Sequence, residues 1–384
     1  MGSIKKRVLI FSDWFLPGYK AGGPIKSLSN LVHTLNSDFE IFLACGDRDY
    51  LETAPYKGIE LNKWLDNYGI KLIYLPPKNQ QINTLVSIID KLNPEVVYIN
   101  GIFSRPFSIN PLLALRKSKR KIIVAPRGML AKGALSVKAF KKALFLNFAK
   151  LLRLYDNVLF HATSEQEKSD ISRYYPQNKI RVIPNLPAPI LKKRRSRKKK
   201  TENSINILCI ARIAPEKNID FVLDCLPGLS PEISVKMDFI GSVYDKTYMK
   251  KCISKSKSLP ENIQVRFLDS KTPTEIEAFY EQAHLFFLPT LGENYGHAIV
   301  ESIRANIPVL ISDKTPWRDL DDDRLGAEYP LNEYSKFTSF IEKLAGMNES
   351  EYHQYSKGIA SRFSTRVDLK GNISSYKELF NAEG

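Results

Sequence analysis

Short apolar, β-branched runs alternate along this chain with segments of helical period. The first series of runs is Val8–Phe11, Glu40–Ala44, Lys71–Leu75, Val96–Ile99, Lys121–Ala125 and Val158–Ala162. The second is Ile205–Ile210, Val235–Ile240, Ile263–Phe267, Leu285–Leu288 and Pro308–Ser312. Between them, stretches such as Ile25–Leu35, Thr84–Leu92 and Ile219–Leu226 repeat apolar residues three and four apart, which predicts amphipathic helices. Strands that alternate with helices predict parallel sheets covered on both faces. Two such series predict an α/β protein of two Rossmann-like domains, and 384 residues are too many for one ordinary core. The expected domains are 1–185 and 204–364, with a helical segment at 365–384 that packs back on the first. The stretch IPNLPAPILKKRRSRKKKTENS holds three prolines (Pro184, Pro187, Pro189) and a polybasic run, so 186–203 is expected to be a linker. Ligands collect at the carboxyl ends of parallel strands, so two facing domains are expected to share one site in the cleft between them.

Composition narrows the class. No apolar run approaches the ~20 residues of a membrane-spanning helix. The N-terminal MGSIKKRVLIFSDWF reads as a first strand without the longer apolar core of a signal peptide, so the cytoplasm is the expected compartment. Cys45, Cys209, Cys225 and Cys252 are scattered without a CxxC pair, which fits reduced, buried thiols. The net charge is +16, and Lys192–Lys200 alone supplies +8 of it. A run of this kind reads as a solvated linker or as an attraction to an anionic surface. Because half of the charge sits there and no nucleic-acid-binding motif is present, nucleic acid is not an expected partner.

Four segments carry candidate chemistry. In LGENYGHAIVESIRANIPVLISD, a loop from Gly292 to Gly296 follows an apolar strand and leads into a helix at about His297. The helix start offers N–H groups to a diphosphate, while Glu293 and Glu301 offer carboxylates to hydroxyls; a Glu301 that only favours a helix start and a solvated Glu293 are the alternative. In NILCIARIAPEKNIDF, Arg212 and Lys217 follow a strand, where two cations suit a pyrophosphate; a plain surface pair is the alternative. In FSDWFLPGYKAGGPIKSL, Gly22 and Gly23 open a helix and let backbone approach a phosphate, or simply form a βα turn. The absence of GxGxxG argues against a nicotinamide dehydrogenase. In IIVAPRGMLAKGALSVKAFKKALFLNFAKLLRLY, Arg127 follows a strand, and a long helix bearing Lys132, Lys138, Lys141, Lys142, Lys150 and Arg153 comes after it. That helix fits a membrane surface, or packing on its own domain with a solvated lysine face.

Taken in order, these segments resemble glycosyltransferase family 4, the retaining group 1 enzymes with the GT-B fold. The series is the Gly-Gly loop, Pro126–Leu130 (Pro-Arg-Gly-Met-Leu), His161–Glu167 (HATSEQE), Ile183–Asn185, Arg212-x4-Lys217, Glu293-x7-Glu301 and Thr315–Leu320 (TPWRDL), and it covers nearly the whole chain. The resemblance implies that Arg212 and Lys217 bind the donor diphosphate, with backbone near Gly22 and Gly23 on the opposite wall. It puts Glu293 on the transferred sugar, Glu301 on the ribose, and the segment of Asn294, Tyr295, Gly296, His297 and Ala298 along sugar and phosphate. Gly241 and Leu268 are grouped with the donor, Leu268 in the stretch that flanks the base. Many members carry a histidine where this chain has Arg127; an arginine is no general base at neutral pH, but it could steady phosphate or orient the acceptor. His161 reads as a packed or hydrogen-bonded histidine.

The implied reaction moves a hexose from a nucleoside diphosphate sugar, expected to be UDP-glucose or a close UDP-hexose with GDP-mannose next, to a saccharide or lipid-linked acceptor of a surface polysaccharide. Glu293, Arg127, Arg212 and Lys217 form the expected catalytic set. No cofactor or metal is required, and Asp321–Asp323 reads as a polar loop. A catalytically silent scaffold subunit is the competing reading, distinguished by ligand binding without turnover. An anionic membrane surface is a further expected contact.

Overall fold

The computed structural model describes residues 5–136, 139–188 and 199–381. It divides into two compact units, one formed by residues up to Leu186 together with those from Leu369 onward, the other by Pro187–Asp368.

Among the described residues, unit 1 holds eight strands: β1 Arg7–Ser12, β2 Glu40–Gly46, β3 Leu65–Asn67, β4 Ile70–Leu75, β5 Val96–Asn100, β6 Lys121–Ala125, β7 Val158–Ala162 and β8 Ile180–Val182. Their order is β3-β4-β2-β1-β5-β6-β7-β8. Alternation of side chains assigns the two faces, as strand geometry requires. Leu9 and Phe11 of β1 enter one core with Leu85, Ile99 and Val124, while Val8 and Ile10 enter the other with Leu28, Val32 and Tyr98. Helices Gly23–Leu35 and Ile82–Leu92 supply these layers. The sheet is not wholly parallel: β3 runs antiparallel to β4, because only Tyr68 and Gly69, both with positive φ, separate them in a tight reversal. Helix Leu369–Asn381 belongs to this unit, where Phe380 packs edge-on against Phe39 and Tyr98.

Unit 2 holds β9 Ser204–Ile210, β10 Ser234–Ile240, β11 Ile263–Leu268, β12 Leu285–Leu288, β13 Val309–Ser312 and β14 Gly326–Tyr329, all parallel, in the order β11-β10-β9-β12-β13-β14. β12 and β13 are buried throughout, which explains their unbroken apolar sequence.

Two expectations change. The basic run is not uniformly solvated at its end. Lys200 is buried, and its Nζ donates to the carbonyls of Thr201, Ala345 and Met347 at 2.8, 2.7 and 2.9 Å. Burial pulls its ammonium down to about 8. Lys192–Lys198 lie outside the described residues. The helix after Arg127 comprises Lys132–Ser136 and Ala139–Leu151, with 137 and 138 outside the described residues. It ends before Arg153, whose φ of 52° belongs to a turn. The four cysteines are buried free thiols, and no described helix is long and apolar enough to cross a membrane.

Candidate functional site

In unit 2 the chain builds β9, β10 and β11 outward, then crosses to β12 on the other side of β9. The β9/β12 boundary is therefore the point where the strand order reverses, and in open α/β sheets ligands bind outside the carboxyl ends of strands at such points. Arg212 and Lys217 follow β9, and Thr290–Gly296 follows β12. The two loops are laced together. Leu291 N–H donates to the Glu216 carbonyl at 2.9 Å, and the Asn218 amide donates to the Pro289 carbonyl at 3.0 Å. This brings Lys217 Nζ to 3.0 and 3.2 Å from the two oxygens of Glu293. Both side chains are mostly covered, 12% and 21% exposed. Arg212 is more open: it pairs with Glu216 at 3.4 Å and lies over the Tyr244 ring at 5.1 Å.

The loop enters helix His297–Arg304 through Gly296, whose φ is 77°. A Cβ there would fall 2.7 Å from Ile299 Cδ1, a side-chain end that can give way, so it is the left-handed entry that requires glycine. Its N-cap residue, Gly296, has no side chain with which to cap the first-turn N–H groups. The Thr315–Leu320 turn braces the loop from behind. Trp317 Nε1 donates to the Tyr295 carbonyl at 2.6 Å, and the two rings meet edge-on at 5.5 Å. Glu301 sits in the second turn of the helix and accepts from the Tyr280 hydroxyl at 2.9 Å. Gly241 directly follows β10 and Leu268 ends its neighbour β11, with Gly241 N–H donating to the Leu268 carbonyl at 3.1 Å. A Cβ on Gly241 would fall 2.0 Å from the Ala211 carbonyl oxygen, so packing alone dictates that glycine.

In unit 1 the order reverses between β1 and β5. Gly22 precedes helix Gly23–Leu35 with φ 68°, and a Cβ there would meet nothing within 4 Å; backbone conformation rather than crowding selects glycine. Arg127 follows β6 with φ 57°. Its guanidinium is not a free cation. Nε donates to Asn100 Oδ1 at 2.7 Å, Nη1 to Asn185 Oδ1 at 2.6 Å, and Nη2 to the Tyr98 hydroxyl at 2.8 Å. Burial alone would pull the guanidinium down, but Tyr98, Tyr376 and Glu167 more than offset that. His161 Nε2 faces the Ile183 carbonyl at 2.9 Å and must donate to it, so Nδ1 accepts from the Tyr98 hydroxyl at 2.8 Å. The relay Arg127–Tyr98–His161–Ile183 is thereby complete. Burial, then the Arg127 charge, holds the imidazole down to about 3, so near pH 7 it stays neutral, with its single proton on Nε2. Glu167 closes the arrangement, accepting from Gly128 N–H at 2.6 Å and from Thr163 N–H and Oγ at 2.7 Å each.

Sequence reasoning passed over Asp13, which directly follows β1. The register that pairs Ser12 with Asn100 sets it beside the end of β5. Ser104 Oγ donates to its Oδ1 at 2.5 Å, and Oδ2 takes no hydrogen bond among the described residues. Burial pushes its carboxyl up to about 6, against a smaller pull from Ser104. The folded chain therefore binds this proton more tightly than the unfolded chain, whose carboxyl titrates near 3.8. Stability falls as pH rises from about 4 to about 6 and stays lower above. Asp13→Asn, which keeps an acceptor for Ser104, is expected to stabilise the protein by up to about 3 kcal/mol near pH 7.5 and to be neutral below about pH 4. Urea unfolding at the two pH values checks this.

Residues 192–323 match the model of the family described as Glycosyl transferases group 1. The chain is similar to the GtfA subunit of the UDP-N-acetylglucosamine–peptide N-acetylglucosaminyltransferase of Streptococcus agalactiae, 22% identical over 215 residues, 53% of this chain and 41% of that protein. It is also similar to the alpha-monoglucosyldiacylglycerol synthase of Streptococcus pneumoniae, 25% identical over 254 residues, 62% of this chain and 56% of that protein. The chain thus spans about half the length of these curated relatives. Among solved structures, Anabaena Alr3699/HepE in complex with UDP and glucose superposes with a TM-score of 0.71 at 14% identity, over 98% of this chain and 100% of that one. Sucrose-phosphate synthase from Thermosynechococcus elongatus gives 0.66 at 14% identity, over 98% of each chain. The fold is GT-B.

Proposed function

We propose that this chain is a glycosyltransferase that takes its sugar from a nucleoside diphosphate donor, with a UDP-hexose as the donor class. The observation that carries the reading is the Lys217–Glu293 pair at the reversal point of the six-stranded sheet. A cation and a carboxylate are held there within one hydrogen bond of each other, beside Arg212 and a helix start whose N-cap is a glycine. That set matches a diphosphate next to a hydroxylated ring: cations and N–H groups for one, a carboxylate for the other. The family match over 192–323 covers these residues, and the relatives named for UDP or glucose favour uridine over guanosine.

In this reading Arg212 and Lys217 neutralise the departing diphosphate and Glu293 holds sugar hydroxyls, while Glu301, already bonded to Tyr280, meets the ribose. The bond from the anomeric carbon to the β-phosphate oxygen breaks as an acceptor oxygen bonds that carbon on the same face. The acceptor proton passes to the departing phosphate oxygen. Asp13, with an open oxygen, offers unit 1 a contact for an acceptor hydroxyl. The acceptor class is a saccharide or lipid-linked saccharide.

A melting-temperature screen of the full chain against UDP, UDP-glucose and GDP-mannose tests the donor. A ligand at about 100 times its dissociation constant stabilises by about 2.7 kcal/mol. UDP-glucose is expected to raise the melting temperature more than GDP-mannose. No shift with any of the three would sink the reading.

A further inference from the structure

Helix Ala139–Leu151 of unit 1 is apolar on two sides. One side buries Leu146 and Ala149 in the core and sets Phe145 edge-on to Phe103 at 5.6 Å. On the other, Phe140, Leu144, Phe148 and Leu151 are 82%, 61%, 57% and 77% exposed. At about 100° per residue these four fall within an arc of roughly 80°, opposite the buried pair. Large side chains exposed in a continuous stripe, rather than singly, mark an interaction surface.

The surrounding charge identifies what covers it. Residues 128–155 carry Lys132, Lys138, Lys141, Lys142, Lys150 and Arg153 and no aspartate or glutamate. Lys141 and Lys150 project on either side of the stripe, and Lys150 Nζ rests over the Tyr174 ring at 5.7 Å. A second copy of this chain is a poor occupant, since a chain of net charge +16 would bring like charges together at the seam. An apolar ridge flanked by ammonium groups matches the acyl–headgroup boundary of an anionic bilayer.

We propose that the Phe140–Leu144–Phe148–Leu151 stripe seats unit 1 on an anionic membrane, the helix lying in the plane of the interface with Lys141 and Lys150 at headgroup level. This inference stands apart from the sugar-transfer reading, because its test uses no donor. The full chain is sedimented with phosphatidylcholine vesicles that do or do not contain phosphatidylglycerol, at low and high salt. Wild type is expected to sediment with the phosphatidylglycerol vesicles at low salt and to be released by salt. Leu144→Glu/Phe148→Glu, at two exposed positions, is expected to weaken that binding at least about tenfold with an unchanged thermal melt. The proposal fails if wild type stays in the supernatant with anionic vesicles at low salt. It also fails if the double variant sediments as wild type does, which would assign the binding to basic residues elsewhere. A wild-type dimer in light scattering that the double variant dissolves, without vesicle binding, would give the stripe to self-association instead.

Discussion

Lys217→Ala is expected to lower turnover of UDP-glucose about 10²–10³-fold while costing the fold only about 1–2 kcal/mol. The two effects separate because the pair with Glu293 is covered but not sealed, at 12% and 21% exposure. A salt bridge of that kind contributes modestly to stability, whereas a cation aimed at a departing diphosphate acts on the transition state, where one such donor is worth about 3–4 kcal/mol. Steady-state kinetics and a denaturant melt on the same preparation decide the matter. The UDP-induced rise in melting temperature is expected to shrink in the same variant. If the pair were only a brace between the loops after β9 and β12, Lys217→Ala and Glu293→Ala would lose similar stability, couple in a double-mutant cycle and leave turnover unchanged. Unchanged turnover in both variants overturns the site assignment.

Arg127→Met is expected to do the reverse, destabilising unit 1 by roughly 3–5 kcal/mol with turnover per folded molecule held within about tenfold. The guanidinium serves Asn100, Asn185 and Tyr98 at once, and hydrogen bonds to a charged group are the stronger kind. Methionine fills much of the volume but leaves three polar groups short of a donor. His161 loses a positive neighbour, yet burial, the larger influence, keeps it neutral. Guanidinium unfolding measures the loss. A drop in turnover of about 10³ at unchanged stability would instead make Arg127 a group that touches substrate.

The eleven runs read from the sequence all correspond to strands: the fully buried ones are continuous apolar sequence, while β10 and β11 alternate apolar with polar positions. The strands that escaped notice are β3, β8 and β14. Leu65–Asn67 and Ile180–Val182 are too short to show a period, and Gly326–Tyr329 is carried by its place at the sheet edge rather than by its residues. Residue types at the candidate site were legible, but their partners were not. Lys217 and Glu293 meet across 76 positions, and Tyr98 and Asn100 of β5 close on Arg127 together with Asn185, which follows β8. No local pattern encodes such meetings. Asp13 carried no signal at all, because an aspartate after a strand is commonplace and only the fold removes its water.

Unit 1 is not one continuous stretch of chain: helix Leu369–Asn381 completes it, with Tyr376 against His161 and Phe380 against Phe39 and Tyr98. The order in which the units become complete therefore runs opposite to the order of synthesis. Unit 2 has its whole sequence once residue 368 has left the ribosome, while the unit begun at β1 still lacks the residues that cover Tyr98. Until then a nascent chain presents that apolar face uncovered, and a helix made after all of unit 2 is the one that shelters it.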